Sequence, residues 1–147
     1  MDGARVTHLG ICVSDLETSL AFYRDALGFE YASELSVDGE APATLLRLPD
    51  VSLRAIYLRR DGFVIELLHY DAPGSEGDGR PRAMNALGLT HLSLRVPDLS
   101  AALAGLEARG VNILRDTRIE FEAAGAKAVF VTDPDGTLIE LVESDTA

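Results

Sequence analysis

The sequence HLGICVSDLETSLAFYRDALGFE, residues 8–30, returns in modified form as HLSLRVPDLSAALAGLEARGVNI, residues 91–113, and this duplication sets the architecture. His8 and His91 are 83 residues apart, as are Asp15 and Asp98. Further along, DGFVIELL at 61–68 returns as DGTLIELV at 135–142, with an offset of 74 residues. The chain therefore consists of two copies of one unit, and the second copy is nine residues shorter in its middle.

Each copy begins with an alternating segment that predicts a strand, at residues 5–13 and 89–96. A helix is predicted after each strand. In the first copy Ser14 and Glu17 have the spacing of a capping box, and Gly28 provides the C-terminal stop. The second helix is expected from about Asp98 to Gly110.

Three strand-like stretches follow each helix. They cover 29–37, 43–49 merging with 52–59, and 62–70 in the first copy, and 111–119, 126–133 and 137–143 in the second. Residues 71–86 are rich in glycine, proline and charge and predict a linker. The expected fold is one α+β domain over 1–147, made of two βαβββ modules: module 1 at 5–70 and module 2 at 87–144.

Composition narrows the classes of partner. The chain has 147 residues, 47% of them hydrophobic, and a net charge of -11, which disfavours binding to nucleic acid or anionic membranes. Neither a membrane-spanning run nor a signal peptide is recognisable, so a cytoplasmic location is expected. Cys12 is the only cysteine, so an intrachain disulfide is impossible and any metal must be bound by nitrogen and oxygen.

Strand alternation places four chemically distinctive side chains on matching faces. His8 and Glu66 lie on the more polar-tolerant face in module 1, and His91 and Glu140 lie on that face in module 2. Because each helix must bury its apolar stripe on the opposite face, the four side chains are predicted to line one shared cavity.

A bound metal would explain why Glu66 and Glu140 lie in otherwise apolar strands. A carboxylate within an apolar strand is costly to bury unless it is paired or bound to a cation. Since the repeat matches Glu66 and Glu140 each to a histidine, we predict that His8, Glu66, His91 and Glu140 bind one divalent metal. The alternative is that each glutamate pairs with a nearby arginine or hydrogen-bonds a core histidine.

Two arginines are weaker candidates for substrate binding. Arg95 shares the strand face of His91 and would suit a substrate carboxylate, although a structural salt bridge explains it equally well. Arg47 has the same standing. His69 is out of phase with Glu66 and is expected either to pack by the helix or to lie at the end of the loop.

The sequence resembles the vicinal oxygen chelate superfamily over nearly its whole length. The likeness is carried by THLGICVSDLETSLAFYRDALGFE, VIELLHY, GLTHLSLRVPDL and VTDPDGTLIELVE. It implies an open half-barrel of paired βαβββ modules around a metal, a homodimer, and a small-molecule substrate that chelates the metal through neighbouring oxygens. The His8, Glu66, His91 and Glu140 set falls at the family's ligand positions and looks like that of bacterial glyoxalase I.

The resemblance leaves several activities open. An extradiol Fe(II) dioxygenase would use His8, His91 and Glu140 only, and Glu66 would crowd its oxygen site. A methylmalonyl-CoA epimerase has a similar length, but usually has Gln at the position of Glu66 and needs a further acid, which APATLLRLP at 41–49 does not contain. A resistance protein that only binds its ligand lacks these metal ligands.

The favoured activity is therefore that of a metal-dependent lyase or isomerase. A nitrogen and oxygen site suits Zn, Ni, Co, Mn or Fe. The cation would acidify the C–H bond next to a chelated carbonyl, and a nearby base would take the proton. By resemblance Glu140 is the expected base, with Glu66 as second choice or as the partner that returns the proton.

Overall fold

The computed structural model describes residues 2–144 and separates into two units, with the boundary between Gly77 and Asp78. This boundary lies inside the predicted linker. The predicted domain of 1–147 also includes residues 1 and 145–147, which lie outside the described part of the chain.

The first unit is a four-stranded mixed sheet with helices. Its elements are β1 (Leu9–Cys12), α1 (Leu16–Leu20) continued by a π-helical segment (Ala21–Ala26), β2 (Glu30–Asp38), α2 (Glu40–Leu46), β3 (Ser52–Arg60) and β4 (Phe63–Ala72). The strand order is β1-β4-β3-β2. β1 runs parallel to β4, and the other neighbours are antiparallel.

The second unit repeats this arrangement. Its elements are β5 (His91–Arg95), α3 (Leu99–Glu107), β6 (Asn112–Phe121), a 3-10 turn (Glu122–Ala124), β7 (Ala126–Thr132) and β8 (Leu138–Ser144). The order β5-β8-β7-β6, with β5 parallel to β8, matches that of the first sheet. The predicted α+β class and the two βαβββ modules are confirmed. None of the described helices is long and apolar enough to cross a bilayer.

The helix caps follow the repeat rather than the predicted capping box. Asp15, not Ser14, is the N-cap of α1 and accepts a 2.7 Å hydrogen bond from the Thr18 backbone N–H. Asp98 caps α3 in the same way through the Ala101 N–H, at 2.9 Å. The prediction for Ser14 was wrong because the carboxylate of Asp15, at the next position, accepts a hydrogen bond from a first-turn backbone N–H. Its negative charge also interacts favourably with the positive end of the helix dipole.

The predicted strand at 43–49 was also wrong, because residues Glu40–Leu46 form α2. The stretch has no period-two alternation: Leu45 is 82% exposed, and Pro42 lies in the first turn, where its missing N–H is harmless. Arg47 ends the helix in the left-handed conformation, with φ 56°. The thirteen residues 39–51 replace the four residues 122–125, and this accounts for the whole nine-residue difference in length between the copies.

The core of each module lies on the helix side of its sheet. In module 1, Tyr23 of the helix and Leu58, Ile65 and Leu67 of the sheet are fully buried. In module 2 the helix and sheet contribute the buried residues Leu99, Leu103, Leu106, Val129, Val131, Ile139 and Leu141. Burial of this face leaves the opposite face of each sheet for the histidine and glutamate side chains.

Candidate metal centre

His8 and Glu66 form a close pair in module 1. The parallel pairing of β1 with β4 places Gly10 beside Glu66, and His8 lies two residues before Gly10. Nε2 of His8 is 3.0 Å from Oε2 of Glu66. The other ring nitrogen, Nδ1, is 3.1 Å from the hydroxyl of Thr7. The Glu66 side chain is only 12% exposed, so its carboxylate is largely withdrawn from water.

His91 and Glu140 form the corresponding pair in module 2. Ser93 lies beside Glu140 in the β5–β8 register, and His91 lies two residues earlier. Nε2 of His91 is 3.6 Å from Oε2 of Glu140, and Nδ1 is 2.9 Å from the hydroxyl of Thr90. Both side chains are 27% exposed, so Glu140 is more open to solvent than Glu66, whereas His91 is less exposed than His8, at 35%.

An aromatic ring lies against each histidine. Tyr57 on β3 faces Glu66, and Phe130 on β7 faces Glu140. The ring centroids of Tyr57 and His8 are 5.5 Å apart, with an interplanar angle of 78°. Phe130 meets His91 at the same distance and 87°. Such edge-to-face contacts restrict the orientation of the imidazole rings.

Each glutamate accepts a hydrogen bond from one hydroxyl, but the two hydroxyls come from different places. The Tyr57 hydroxyl donates a short hydrogen bond to Oε1 of Glu66. Together with burial and the charge of Glu66, this bond raises the pKa of Tyr57 to about 12, and the hydrogen bond is the largest cause. In module 2 the Ser93 hydroxyl donates to Oε2 of Glu140 at 2.8 Å. Tyr57 therefore remains a neutral donor at ordinary pH.

The chemistry of each pair fits a divalent cation. Nitrogen and oxygen ligands bind zinc at about 2.0–2.2 Å, so two ligands of one ion lie roughly 3–3.5 Å apart. The Nε2–Oε2 separations of 3.0 and 3.6 Å fall at or near this range. The threonine hydroxyls satisfy both Nδ1 atoms, an outer-shell arrangement that orients metal-binding histidines.

The structure brings each histidine together with its own glutamate. Among residues 2–144, no group of three or more His, Cys, Asp or Glu side chains is arranged to hold a metal. The meeting of all four residues therefore stays a prediction. Within the described chain, neither Glu66 nor Glu140 forms a salt bridge with arginine or lysine, and the basic side chain within 4 Å of each carboxylate is its histidine.

The two predicted arginines occupy different kinds of position. Arg95 lies on β5 opposite Val142, two residues beyond Ser93 on the same face, and is exposed. Arg47 lies at the C-terminal cap of α2 rather than on a strand, which follows from the wrong prediction at 43–49. His69 lies on the helix side, one of its two expected positions, with Nδ1 3.4 Å from the Val13 carbonyl oxygen.

Several residues of the site were not predicted. Thr7 and Thr90 precede the two histidines, and the repeated Thr-His dipeptide was a local signal for both. Tyr57 and Phe130 lacked such a signal, because their positions opposite the glutamates depend on strand register.

The chain is similar to known proteins over most of its length. The family model described as Glyoxalase/Bleomycin resistance protein/Dioxygenase superfamily matches residues 5–141. An uncharacterised protein of Escherichia coli, YaeR, is 33% identical over 95% of both chains. An ethylmalonyl-CoA/methylmalonyl-CoA epimerase of Cereibacter sphaeroides is 30% identical, covering 93% of this chain and 96% of the epimerase.

Two further likenesses extend the comparison. A probable lactoylglutathione lyase of Vibrio parahaemolyticus is 28% identical over 100% of this chain and 96% of its own. The crystal structure of a glyoxalase family protein from Bacillus cereus, APC24694, superposes with a TM-score of 0.82 over 98% of both chains. Its identity is 20%, so it supports the fold alone.

Proposed function

The chain belongs to the glyoxalase/bleomycin resistance protein/dioxygenase superfamily, and from that membership we propose a divalent-metal-dependent lyase or isomerase of the glyoxalase type. The observation that carries the proposal is the duplicated pair, His8 with Glu66 and His91 with Glu140, each backed by a threonine on Nδ1. Structural histidine–glutamate pairs do not require this matching support in both copies.

In the proposed enzyme, His8, Glu66, His91 and Glu140 hold one divalent ion. The donor set has two nitrogens and two oxygens and no sulfur, which suits Zn, Ni, Co, Mn or Fe. When bound, the cation supplies Lewis acidity to a substrate that chelates it through two adjacent oxygens. Joining of the two pairs around one ion is part of the proposal, and metal stoichiometry tests it.

Glu140 is the proposed base. It removes the proton from the hydroxyl-bearing carbon next to the substrate carbonyl, and the C–H electron pair forms a C=C bond while the carbonyl π pair moves onto its oxygen. The proton is then returned to the former carbonyl carbon and the hydroxyl proton passes to the former carbonyl oxygen, so that the hydroxyl and carbonyl groups change places. The Glu140 side chain is 27% exposed, against 12% for Glu66, so the substrate reaches it more easily. Glu66 is the second choice.

An epimerase of acyl-CoA compounds is the second candidate, because the Cereibacter sphaeroides relative has this name. A two-sided epimerisation needs an acid on each face of the reacting carbon. On β3 the residues that share the face of Glu66 are Leu53, Ala55, Tyr57 and Arg59, and none is a carboxylic acid. This composition favours the one-base reaction over the epimerase.

Metal analysis followed by solvent-deuterium exchange tests the proposal. The purified chain is loaded with Zn²⁺, Ni²⁺, Co²⁺, Mn²⁺ or Fe²⁺ and the bound metal is measured by elemental analysis. Exchange from D₂O is then followed by NMR in dihydroxyacetone, a 2-hydroxy-carbonyl compound, and in methylmalonyl-CoA. One ion per chain with exchange into the first compound supports the lyase or isomerase, whereas exchange into the second alone supports the epimerase.

Three results would overturn the proposal. A stoichiometry of two ions per chain contradicts one shared site, and a chain that binds none of these metals contradicts the metal role altogether. Oxygen consumption with a catechol and Fe²⁺, without any deuterium exchange, would replace the proposal by a ring-cleaving dioxygenase.

A further inference from the structure

The hydroxyl that contacts the glutamate comes from a different position in each module. Two residues after the histidine, module 1 has Gly10 and module 2 has Ser93. Opposite the glutamate, module 1 has Tyr57 and module 2 has Phe130. Each glutamate therefore has one hydroxyl neighbour, which lies on β3 for Glu66 and on β5 for Glu140.

As a result, the carboxylate oxygens of Glu66 and Glu140 have different partners. Glu66 is bound at both ends, since Tyr57 donates to Oε1 while His8 lies at Oε2. On Glu140 both contacts fall on one atom, because Ser93 donates to Oε2 and His91 lies nearest Oε2. Among the described residues, Oε1 of Glu140 has no hydrogen bond or ion pair. Of the two glutamates, only Glu140 therefore has a carboxylate oxygen without a hydrogen bond or ion pair among the described residues.

The surroundings of Gly10 favour a donor from the facing strand in module 1. A Cβ atom at Gly10 would lie 3.1 Å from Cδ1 of Leu68 and 3.9 Å from Oε2 of Glu66. A side chain there would press on the end of the Leu68 side chain, and the hydroxyl that reaches Glu66 comes from Tyr57 on the facing strand. The ring of Tyr57 also contacts His8, so this one side chain restrains both members of the pair.

We infer that Tyr57 and Ser93 are positioning residues that give the two glutamates different tasks. Tyr57 fixes Glu66 as a permanent metal ligand. Ser93 holds Glu140 by one oxygen, so that the other oxygen remains available to accept the substrate proton. This inference rests on the proposed function and deepens it, because it states why two glutamates at equivalent positions act differently.

Two single-atom substitutions test this division of tasks. Tyr57→Phe removes the hydroxyl and keeps the ring, while Phe130→Tyr adds a hydroxyl opposite Glu140. Zn²⁺ affinity is measured by competition with a chromogenic chelator, and deuterium exchange into dihydroxyacetone is measured at saturating Zn²⁺. Tyr31→Phe, on the exposed side chain of β2, is the matched control.

The two variants are expected to separate binding from exchange. Tyr57→Phe weakens Zn²⁺ binding by about 10-fold, at the lower end of the affinity loss seen when a residue that hydrogen-bonds a metal ligand is removed. The exchange rate at saturating Zn²⁺ stays within about 3-fold of the wild-type rate. Phe130→Tyr donates a hydrogen bond to the second oxygen of Glu140 and keeps Zn²⁺ affinity within about 3-fold. It slows exchange by about 10-fold, which is part of the rate enhancement that a general base supplies. Tyr31→Phe changes neither quantity. Circular dichroism and thermal melting establish that each variant is folded.

The opposite pattern overturns the inference. If Tyr57→Phe binds Zn²⁺ like the wild type, or if Phe130→Tyr exchanges as fast as the wild type, the hydroxyls do not divide the tasks. In both cases the wild type still binds Zn²⁺ and exchanges deuterium, so the proposed function survives. A wild-type chain that takes up no Zn²⁺ overturns both together.

Discussion

Glu66 accepts a hydrogen bond from the hydroxyl of Tyr57, the residue directly across from it on the neighbouring antiparallel strand. The tyrosine is the donor and remains neutral, since its pKa is raised to about 12 by this bond and by burial. A largely buried carboxylate thereby gains a partner without gaining a compensating charge. Its negative charge remains available to attract a cation, which a salt bridge to arginine would have neutralised.

Replacement of Glu140 by glutamine separates the two roles assigned to this residue. Glu140→Gln keeps an oxygen that can bind the metal but removes the basic carboxylate, so Zn²⁺ content should be retained and deuterium exchange should fall by about 100-fold or more. Elemental analysis and NMR measure the two quantities. Glu122→Gln, on the 3-10 turn, is the matched control. Undiminished exchange in Glu140→Gln would end the assignment of the base.

Loss of a histidine ligand should remove the metal itself. His8→Ala is expected to lower Zn²⁺ affinity by well over the 10- to 100-fold loss that is typical of an outer-shell change. His69→Ala is the matched control, because His69 lies on the helix side of β4 and contacts the Val13 carbonyl oxygen. An equal Zn²⁺ content in His8→Ala and the wild type contradicts the ligand assignment.

The threonines before the two histidines should also affect metal affinity. Thr7→Val and Thr90→Val keep the shape of the side chain but remove the hydroxyl that lies at Nδ1 of His8 and His91. Each is expected to weaken Zn²⁺ binding by about 10-fold, because the imidazole loses the partner that orients it. Thr44→Val on the exposed face of α2 is the control. Chelator competition that gives equal affinities for all three variants would limit the threonines to a structural role.

Arg95 can be tested with substrates of different charge. Arg95→Gln should slow exchange into dihydroxyacetone phosphate by about 10-fold and leave exchange into neutral dihydroxyacetone unchanged, because its guanidinium is expected to bind an anionic group. Arg47→Gln provides the comparison, because Arg47 lies at the end of α2 and not on β5. Equal losses with the charged and the neutral compound would show that Arg95 does not select by charge.

The N-cap of α1 should make stability depend on acid pH. The side-chain and backbone hydrogen bonds from Thr18 hold the pKa of Asp15 below its ordinary value of 3.8. A carboxyl whose folded pKa is depressed stabilises the fold fully above the unfolded value and loses this contribution as pH falls through the folded value. Asp15→Ala should therefore lower Tm at pH 7, and its difference from the wild type should shrink below pH 3.8. A Tm difference that does not change with pH would contradict this role.

Much of the candidate site was accessible from local patterns. The repeated His and Glu positions, together with strand alternation, predicted that His8, Glu66, His91 and Glu140 line one site. The structure places each histidine beside its own glutamate, and the meeting of all four stays a prediction. The family likeness was accessible for the same reason, since the motifs that carry it are contiguous. The mispredicted strand at 43–49 had a local cause, because a short run of small and apolar residues is compatible with either a strand or a helix.

The remaining features depend on contacts between residues that are distant in the sequence. Tyr57 acts on Glu66 because β3 and β4 pair with those two residues face to face, and Ser93 acts on Glu140 because β5 and β8 pair in parallel. Alternation along one strand determines which face a side chain occupies. From the sequence, Glu66 and Glu140 therefore occupy equivalent positions. Register between strands determines which neighbour each one meets, and that is a tertiary property. It makes Glu66 a carboxylate bound at both oxygens and Glu140 a carboxylate bound at one.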